Sequence, residues 1–305
     1  MRLIFAGTPA NAALALELVA AHHEVVLVIT REDAPVGRKR ELTPSAVAMK
    51  AADLGISTLK RNKLTSTDID AIRGSGAERA IVVAYGALIP QALLDVLPWW
   101  NLHFSLLPSW RGATPLQHSM LSGGKGAGIS LFELETGLDT GPILASQERE
   151  IDYTKTCGEL LDDFTRSGSD LILETIKTLP TPTAQLGEPS LAPKIGRDQA
   201  RLNVNSTADQ MAWKVMGLNP EPGAWAELDG NALRILRATS LGTTDWDAVD
   251  GERFTPGQLS LNAGRVLLHC AEGTRLELKE VQPAGKKVMP ASDWYRGLNK
   301  EIRLD

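Results

Sequence analysis

The spacing of apolar residues changes once along this chain, near residue 205, and that change limits what it can fold into. Up to about residue 180, short apolar runs alternate with helical repeats. RLIFAG, EVVLVIT, ERAIVVAYG and WWNLHFS read as buried strands, and GISLFELE and ILASQEREI as two more. Between them, NAALALELVAA, SAVAMKAADLG (ending at Gly55) and TCGELLDDFTRSGSDLILETIKTL carry apolar residues at helical spacing. Strands alternating with helices predict an α/β unit with a mainly parallel, doubly wound sheet over residues 1–180. In such sheets ligands bind at the carboxyl ends of the strands. Residues 181–205 are proline-rich and lack periodicity, which predicts a linker. From 206 to 305 one helix, TADQMAWKVMG, precedes the short β runs GAWAEL, ALRILRATS, PGQLSLN, RVLLHCA and RLELKEVQP. That pattern predicts a smaller barrel or sandwich.

Composition sets the outer bounds. At 305 residues the chain is long for a single core, and 43% apolar with 23% charged residues is ordinary for a globular protein. No apolar run approaches a membrane span. The opening MRLIFAGTP reads as a strand and turn rather than a signal peptide, so a cytoplasmic location is expected. Cys157 and Cys270 stand far apart with no CxxC partner, so neither a disulfide nor a metal site is expected. A net charge of −5 disfavours a surface that coats nucleic acid, while leaving room for local basic patches.

One stretch concentrates chemistry: NLHFSLLPSWRGATP, residues 101–115. Side chains two apart on a strand share a face, so the Asn101 carboxamide and the His103 imidazole are expected to face one space. Downstream, ETGLDTGPI sets Asp139 between Gly137 and Gly141 in a loop joining two strands. An amide, an imidazole and a carboxylate converging at strand ends form a plausible acid/base and oxyanion set. Ser105 is not in a GxSxG elbow, so it reads as a loop hydroxyl rather than a nucleophile. Gly7-Thr8-Pro9 lacks both GxGxxG and GxxxxGK[ST], and reads as a strand-to-helix turn. Two basic clusters, Arg38-Lys39-Arg40 and Lys286-Lys287, are either solvated loops or contacts to a polyanion.

FAGTP, PVGRKRELTPSAV, AYGALIP, NLHFSLLPSWRGATP, GLDTGPIL and QPAGKKVMPASDW occur in that order. Together they resemble the formyl-folate-dependent formyltransferases, and among these the methionyl-tRNA formyltransferase family. The central motifs are common to all formyl-folate transferases, including those acting on purine ribotides and amino sugars. The basic loop and the C-terminal lysine motif narrow the resemblance. It implies a Rossmann-like domain binding 10-formyltetrahydrofolate, followed by an OB-like barrel that helps hold methionyl-initiator tRNA. It also implies catalytic roles for Asn101, His103 and Asp139, with Asp139 orienting the imidazole. Ser105, Leu106, Leu107 and Pro108 correspond to a folate-contacting segment. Arg38 corresponds to a tRNA-contacting arginine in a basic loop that includes Lys39 and Arg40, and Lys286 and Lys287 to a C-terminal basic motif. No metal is implied, and a monomer is. Phe104 stands where the family usually has a small residue, so its ring must find a pocket or shift the loop. A transferase acting on a small amine such as an amino sugar, a formyl-folate hydrolase and a non-catalytic RNA binder are the alternatives.

Overall fold

A computed structural model describes residues 1–37, 40–241, 254–298 and 303–305. The chain divides into two compact units. The first comprises Met1–Pro115, Gly126–Glu150 and Leu161–Pro193, and the second Leu116–Lys125, Ile151–Leu160 and Lys194–Asp305.

The elements that build the first unit begin with β1 (Arg2–Gly7), α1 (Ala10–Ala20), β2 (Glu24–Thr30), the hairpin strands β3 (Ala34–Val36) and β4 (Glu41–Thr43), α2 (Ala46–Asp53), β5 (Thr58–Lys60), α3 (Ile69–Gly74), β6 (Arg79–Val83), α4 (Gln91–Leu94) and β7 (Trp99–His103). They continue with β8 (Arg111–Gly112), α5 (Pro115–Leu121), β9 (Gly126–Glu133), β10 (Ile143–Glu150), α6 (Cys157–Thr178) and β11 (Leu191–Ala192). Helices α5 and α6 cross the division between the units. The main sheet has the order β10-β9-β7-β6-β1-β2-β5. From β5 to β7 the pairing is parallel, whereas β9 and β10 run antiparallel. The strand order reverses between β1 and β6, as in doubly wound sheets. Strand β5 is three residues long, too short to show a period in the sequence.

Alternation along the strands gives the sheet two faces. Ile4, Ala6, Ala80, Val82 and Trp99 join Leu93 and Leu97 in one buried cluster. Trp99 is fixed there by its indole N–H, which donates to the Leu93 carbonyl at 3.0 Å. On the other face α6 lies close to β7, because a Cβ at Gly168 would stand 2.5 Å from a Leu102 methyl.

The segment read as a linker is paired. Thr183 bridges Ile143, and β11 runs parallel to β8. Beyond Pro193, in the second unit, Leu202 and Trp225 donate backbone hydrogen bonds to Trp225 and Ala200 in turn.

The second unit contains α7 (Ala208–Gly217), β12 (Trp225–Leu228), β13 (Asn231–Ser240), β14 (Leu259–Asn262), β15 (Arg265–His269), β16 (Arg275–Pro283), β17 (Met289–Pro290) and α8 (Ala291–Arg296). Its sheet is a curled antiparallel one, ordered β12-β13-β16-β15-β14 with β17 on β16. A capping box starts α7, with Thr207 and Gln210 satisfying each other's backbone N–H groups. Thr156 and Glu159 do the same before α6, and Arg237 of β13 donates to Glu159. The Arg237 and Thr156 hydrogen bonds hold the Glu159 carboxyl down to about 2. The α/β unit and the curled β unit are those implied by the sequence. Both cysteines are buried and free, and burial pushes each thiol up to about 12.

Gly141, just before β10, has no room for a side chain, since a Cβ there would lie 1.8 Å from the Glu133 carbonyl oxygen. Gly141→Ala is expected to destabilise the protein by about 1–3 kcal/mol, read as a lower denaturant midpoint at unchanged slope. An unchanged midpoint would show that the turn yields freely.

Candidate active site

Asn101 and His103 emerge from β7 on the face that carries Trp99, and both line a cavity of about 450 Å³. That size is typical of small-molecule sites. The turn after β6, from Ala84 to Ile89, and the loop from Leu134 to Asp139 supply most of its walls. The lining is mainly apolar, with Leu88, Ile89, Phe104 and Leu138 around a few polar groups.

The wall after β6 is fastened at successive residues. Thr8 of the Gly7-Thr8-Pro9 turn donates to the Tyr85 carbonyl at 2.9 Å. The Tyr85 hydroxyl donates to the Arg61 carbonyl at 2.8 Å, and the Arg31 guanidinium donates to the Gly86 carbonyl. Ala84 and Gly86 have φ of 48° and 81°. For a residue with a Cβ such as Ala84, that backbone is disfavoured and needs its neighbours to hold it.

Strand β9 runs antiparallel to β7, so Glu133 lies beside Trp100 near the start of β7. The loop that follows must travel back along β7 to bring Asp139 to His103. The carboxylate therefore arrives from the returning part of the loop that joins β9 to β10, the loop in which the sequence placed it. Asp139 takes φ 51°, and its Oδ2 accepts the Gly112 backbone N–H at 2.7 Å.

Asp139 Oδ2 stands 3.8 Å from His103 Nδ1, too far for a hydrogen bond. The group that orients the imidazole is the Trp110 carbonyl, 2.9 Å from Nε2. A carbonyl only accepts, so Nε2 carries the proton and Nδ1 is left as a lone pair facing the carboxylate. Burial of His103, which is 5% exposed, pushes its pKa below the ordinary 6.5. The Asp139 charge and the Trp110 hydrogen bond pull it back part of the way. Near neutral pH the imidazole is a neutral base that becomes a cation, with a carboxylate beside it, on taking a proton. The Asn101 carboxamide makes no hydrogen bond among the described residues, so its N–H groups remain free to donate into the cavity.

Two family models match the chain. Formyl transferase covers residues 1–176, and Formyl transferase, C-terminal domain, covers 194–299. The chain is 45% identical to a methionyl-tRNA formyltransferase of Leifsonia xyli subsp. xyli, over 100% of both chains. It is also 45% identical to that of Clavibacter sepedonicus, over 98% of this chain and 97% of the relative. The chain belongs to the methionyl-tRNA formyltransferase family. Among solved structures, methionyl-tRNA formyltransferase from Clostridium thermocellum is similar with a TM-score of 0.60 and 18% identity, covering 78% of this chain and 93% of that one. HypX from Aquifex aeolicus in complex with tetrahydrofolic acid is similar with a TM-score of 0.67 and 16% identity. That match covers 96% of this chain and 46% of HypX. At such identities the structures show likeness of fold.

Of the residues singled out from the sequence, the fold brings Asn101, His103 and Asp139 together around one cavity. Ser105, Leu106, Leu107 and Pro108 follow directly after the lining residue Phe104. Two of their polar groups are bonded within the protein. Ser105 Oγ donates to the Ser109 carbonyl at 2.6 Å, and Ser130 Oγ accepts the Leu107 N–H at 3.0 Å. Leu106 packs on the sheet over Gly128, where a Cβ would stand 2.5 Å away. Phe104 finds its pocket, buried and forming part of the wall. Arg38 and Lys39 lie outside the described residues. Arg40, Lys286 and Lys287 are exposed. Trp110 carries no chemical signature of its own in the sequence, because its part in the site comes from its backbone carbonyl.

In an NMR titration His103 is expected to have its midpoint below 6.5. Asp139→Asn removes the charge that raises it and is expected to move the midpoint lower still. A midpoint above 6.5, or one that rises in the variant, would contradict this electrostatic account.

Proposed function

We propose that the chain transfers the formyl group of 10-formyltetrahydrofolate to the α-amino group of methionyl-initiator tRNA. The observation that carries the mechanism is the meeting of a free carboxamide, an open imidazole Nδ1 and a carboxylate in one mainly apolar cavity. A folate suits such a cavity in size and lining, with Leu88, Ile89, Phe104 and Leu138 as the residues that would hold its flat rings. It supplies the formyl carbon. Ser105, Leu106, Leu107 and Pro108, which follow Phe104 in the chain, form the segment that contacts the folate.

Esterification lowers the pKa of the methionyl amine, leaving a useful neutral fraction near pH 7. When that amine attacks a formyl carbon, negative charge develops on the formyl oxygen. Asn101 donates a hydrogen bond to that oxygen. His103 Nδ1 accepts the amine proton and returns it to the departing nitrogen. Asp139 stabilises the imidazolium as it forms, by charge at 3.8 Å. The Trp110 carbonyl keeps the ring from rotating away. The acceptor is a polyanion and the protein is acidic overall. Binding therefore concentrates on Arg38, Lys39 and Arg40 in one unit and on Lys286 and Lys287 in the other. The reading includes a monomer, as the resemblance implies, acting in the cytoplasm.

The deciding assay supplies 10-formyltetrahydrofolate with and without methionyl-tRNA and follows formyl transfer and folate release. Transfer only to the charged tRNA is expected. Transfer to an amino sugar, or release without an acceptor, would overturn the reading.

Asn101→Ala is expected to lower turnover by about 10²–10³-fold, and His103→Ala by about 10²–10⁴-fold, in proteins that remain folded by circular dichroism. Near-normal turnover in either would remove that residue from the mechanism.

Arg38→Ala is expected to raise KM for tRNA, leave KM for the folate unchanged, and reduce the salt slope of tRNA binding by about 1. Equal salt slopes in the two proteins would count against a phosphate contact there.

A further inference from the structure

We propose that Gln185 is a positioning residue for the reaction, fixing the loop that presents Asp139 to His103. It lies in the proline-rich stretch whose sequence suggests a linker. In the first unit that stretch is a strap across the back of the site. Thr183 pairs with Ile143, the Ser190 hydroxyl accepts the Trp110 N–H at 2.8 Å, and β11 pairs with β8.

Gln185 uses its whole carboxamide. Nε2 donates to the carbonyls of Asp139 and Gly141, each at 2.8 Å. Oε1 accepts from Arg111 Nε at 3.1 Å and Nη2 at 2.6 Å. Consecutive residues of the 110–112 segment do the complementary work. Trp110 orients His103 through its carbonyl, Arg111 holds Gln185, and Gly112 holds the Asp139 carboxylate through its N–H. Asp139 is thus tied to the same tripeptide twice, by its side chain through Gly112 and by its backbone through Gln185 and Arg111. Its left-handed backbone needs such support. Without the Gln185 N–H groups the ends of the loop keep their backbone bonds, Leu134 to Trp99 and Glu133 to Pro142, while Asp139 itself keeps the Gly112 contact, and the carboxylate can drift from its place 3.8 Å from Nδ1. Among the groups that border the cavity, Asp139 is the charge acting on His103. Glu135 is the other titratable group of the same loop that lines it.

The inference rests on the proposed roles of His103 and Asp139, and its test has a readout besides turnover. Gln185→Met keeps length and bulk but offers neither donor nor oxygen. Its kcat is expected to fall by about 10²-fold, the scale set by a small misplacement of a reacting group. KM for both substrates should stay within about threefold, since the cavity walls remain. The NMR midpoint of His103, assigned with His103→Gln, should move to lower pH as the carboxylate's influence weakens. Gln185→Glu keeps the contact to Arg111 and has no N–H to give, so a comparable loss of turnover is expected. If the methionine variant merely lowers the melting temperature while the His103 midpoint stays put, Gln185 is structural and the proposal falls. Full turnover in the glutamate variant would also overturn it. If the wild-type chain transferred no formyl group to methionyl-tRNA, the functional reading would fail, while the His103 midpoint would still decide the role of Gln185.

Discussion

Between β7 and β9 the backbone hydrogen bonds run antiparallel, with His103 opposite Ser130 and Trp100 opposite Glu133. The site follows from that reversal. A parallel neighbour would deliver its next loop at the carboxyl end of β7, beyond His103. The antiparallel one delivers it at the other end, so the 134–142 loop has to come back over the sheet face. In doing so it encloses the space in front of Asn101 and His103 and becomes its wall. Glycine at 141 lets this loop lie against the Glu133 carbonyl, where any Cβ would collide.

Enclosure sets the electrostatics. His103 is nearly out of water, and its charged form is disfavoured by burial more than the nearby carboxylate favours it. The outcome is a neutral ring whose tautomer is chosen by the Trp110 carbonyl rather than by Asp139. A base of this kind accepts a proton only when the product cation has a counter-charge waiting, which Asp139 provides at a distance short of a hydrogen bond. The carboxylate is held by the Gly112 N–H, so stabilising the cation requires little rearrangement.

Much of the fold was legible in particular residues. The apolar runs in β1, β2 and β6 have the continuity of strands buried on both faces, and α6 has a clear amphipathic period. Asn101 and His103 could be paired because a strand period of two is dictated by backbone geometry. Strand β5 escaped notice because three residues cannot display a period. The strap from Thr183 to Ala192 looked like a linker because its order comes from partners distant in sequence. Its residues have no apolar pattern to announce them, and its hydrogen bonds are made largely by backbone atoms and single polar side chains. Trp110 was passed over for a related reason: its contribution is a carbonyl, which every residue has.

The sequence by itself determined the α/β and β architecture, the shared face of Asn101 and His103, and the family, because these depend on local period and on motifs read in order. Only the tertiary structure decided which atoms of those motifs meet. The return of Asp139 along β7, the choice of Trp110 as the orienting group and the contacts of Gln185 with Asp139 and Arg111 all depend on strand direction and chain reversal. Those are set by packing between segments far apart along the chain, and local composition carries no record of them.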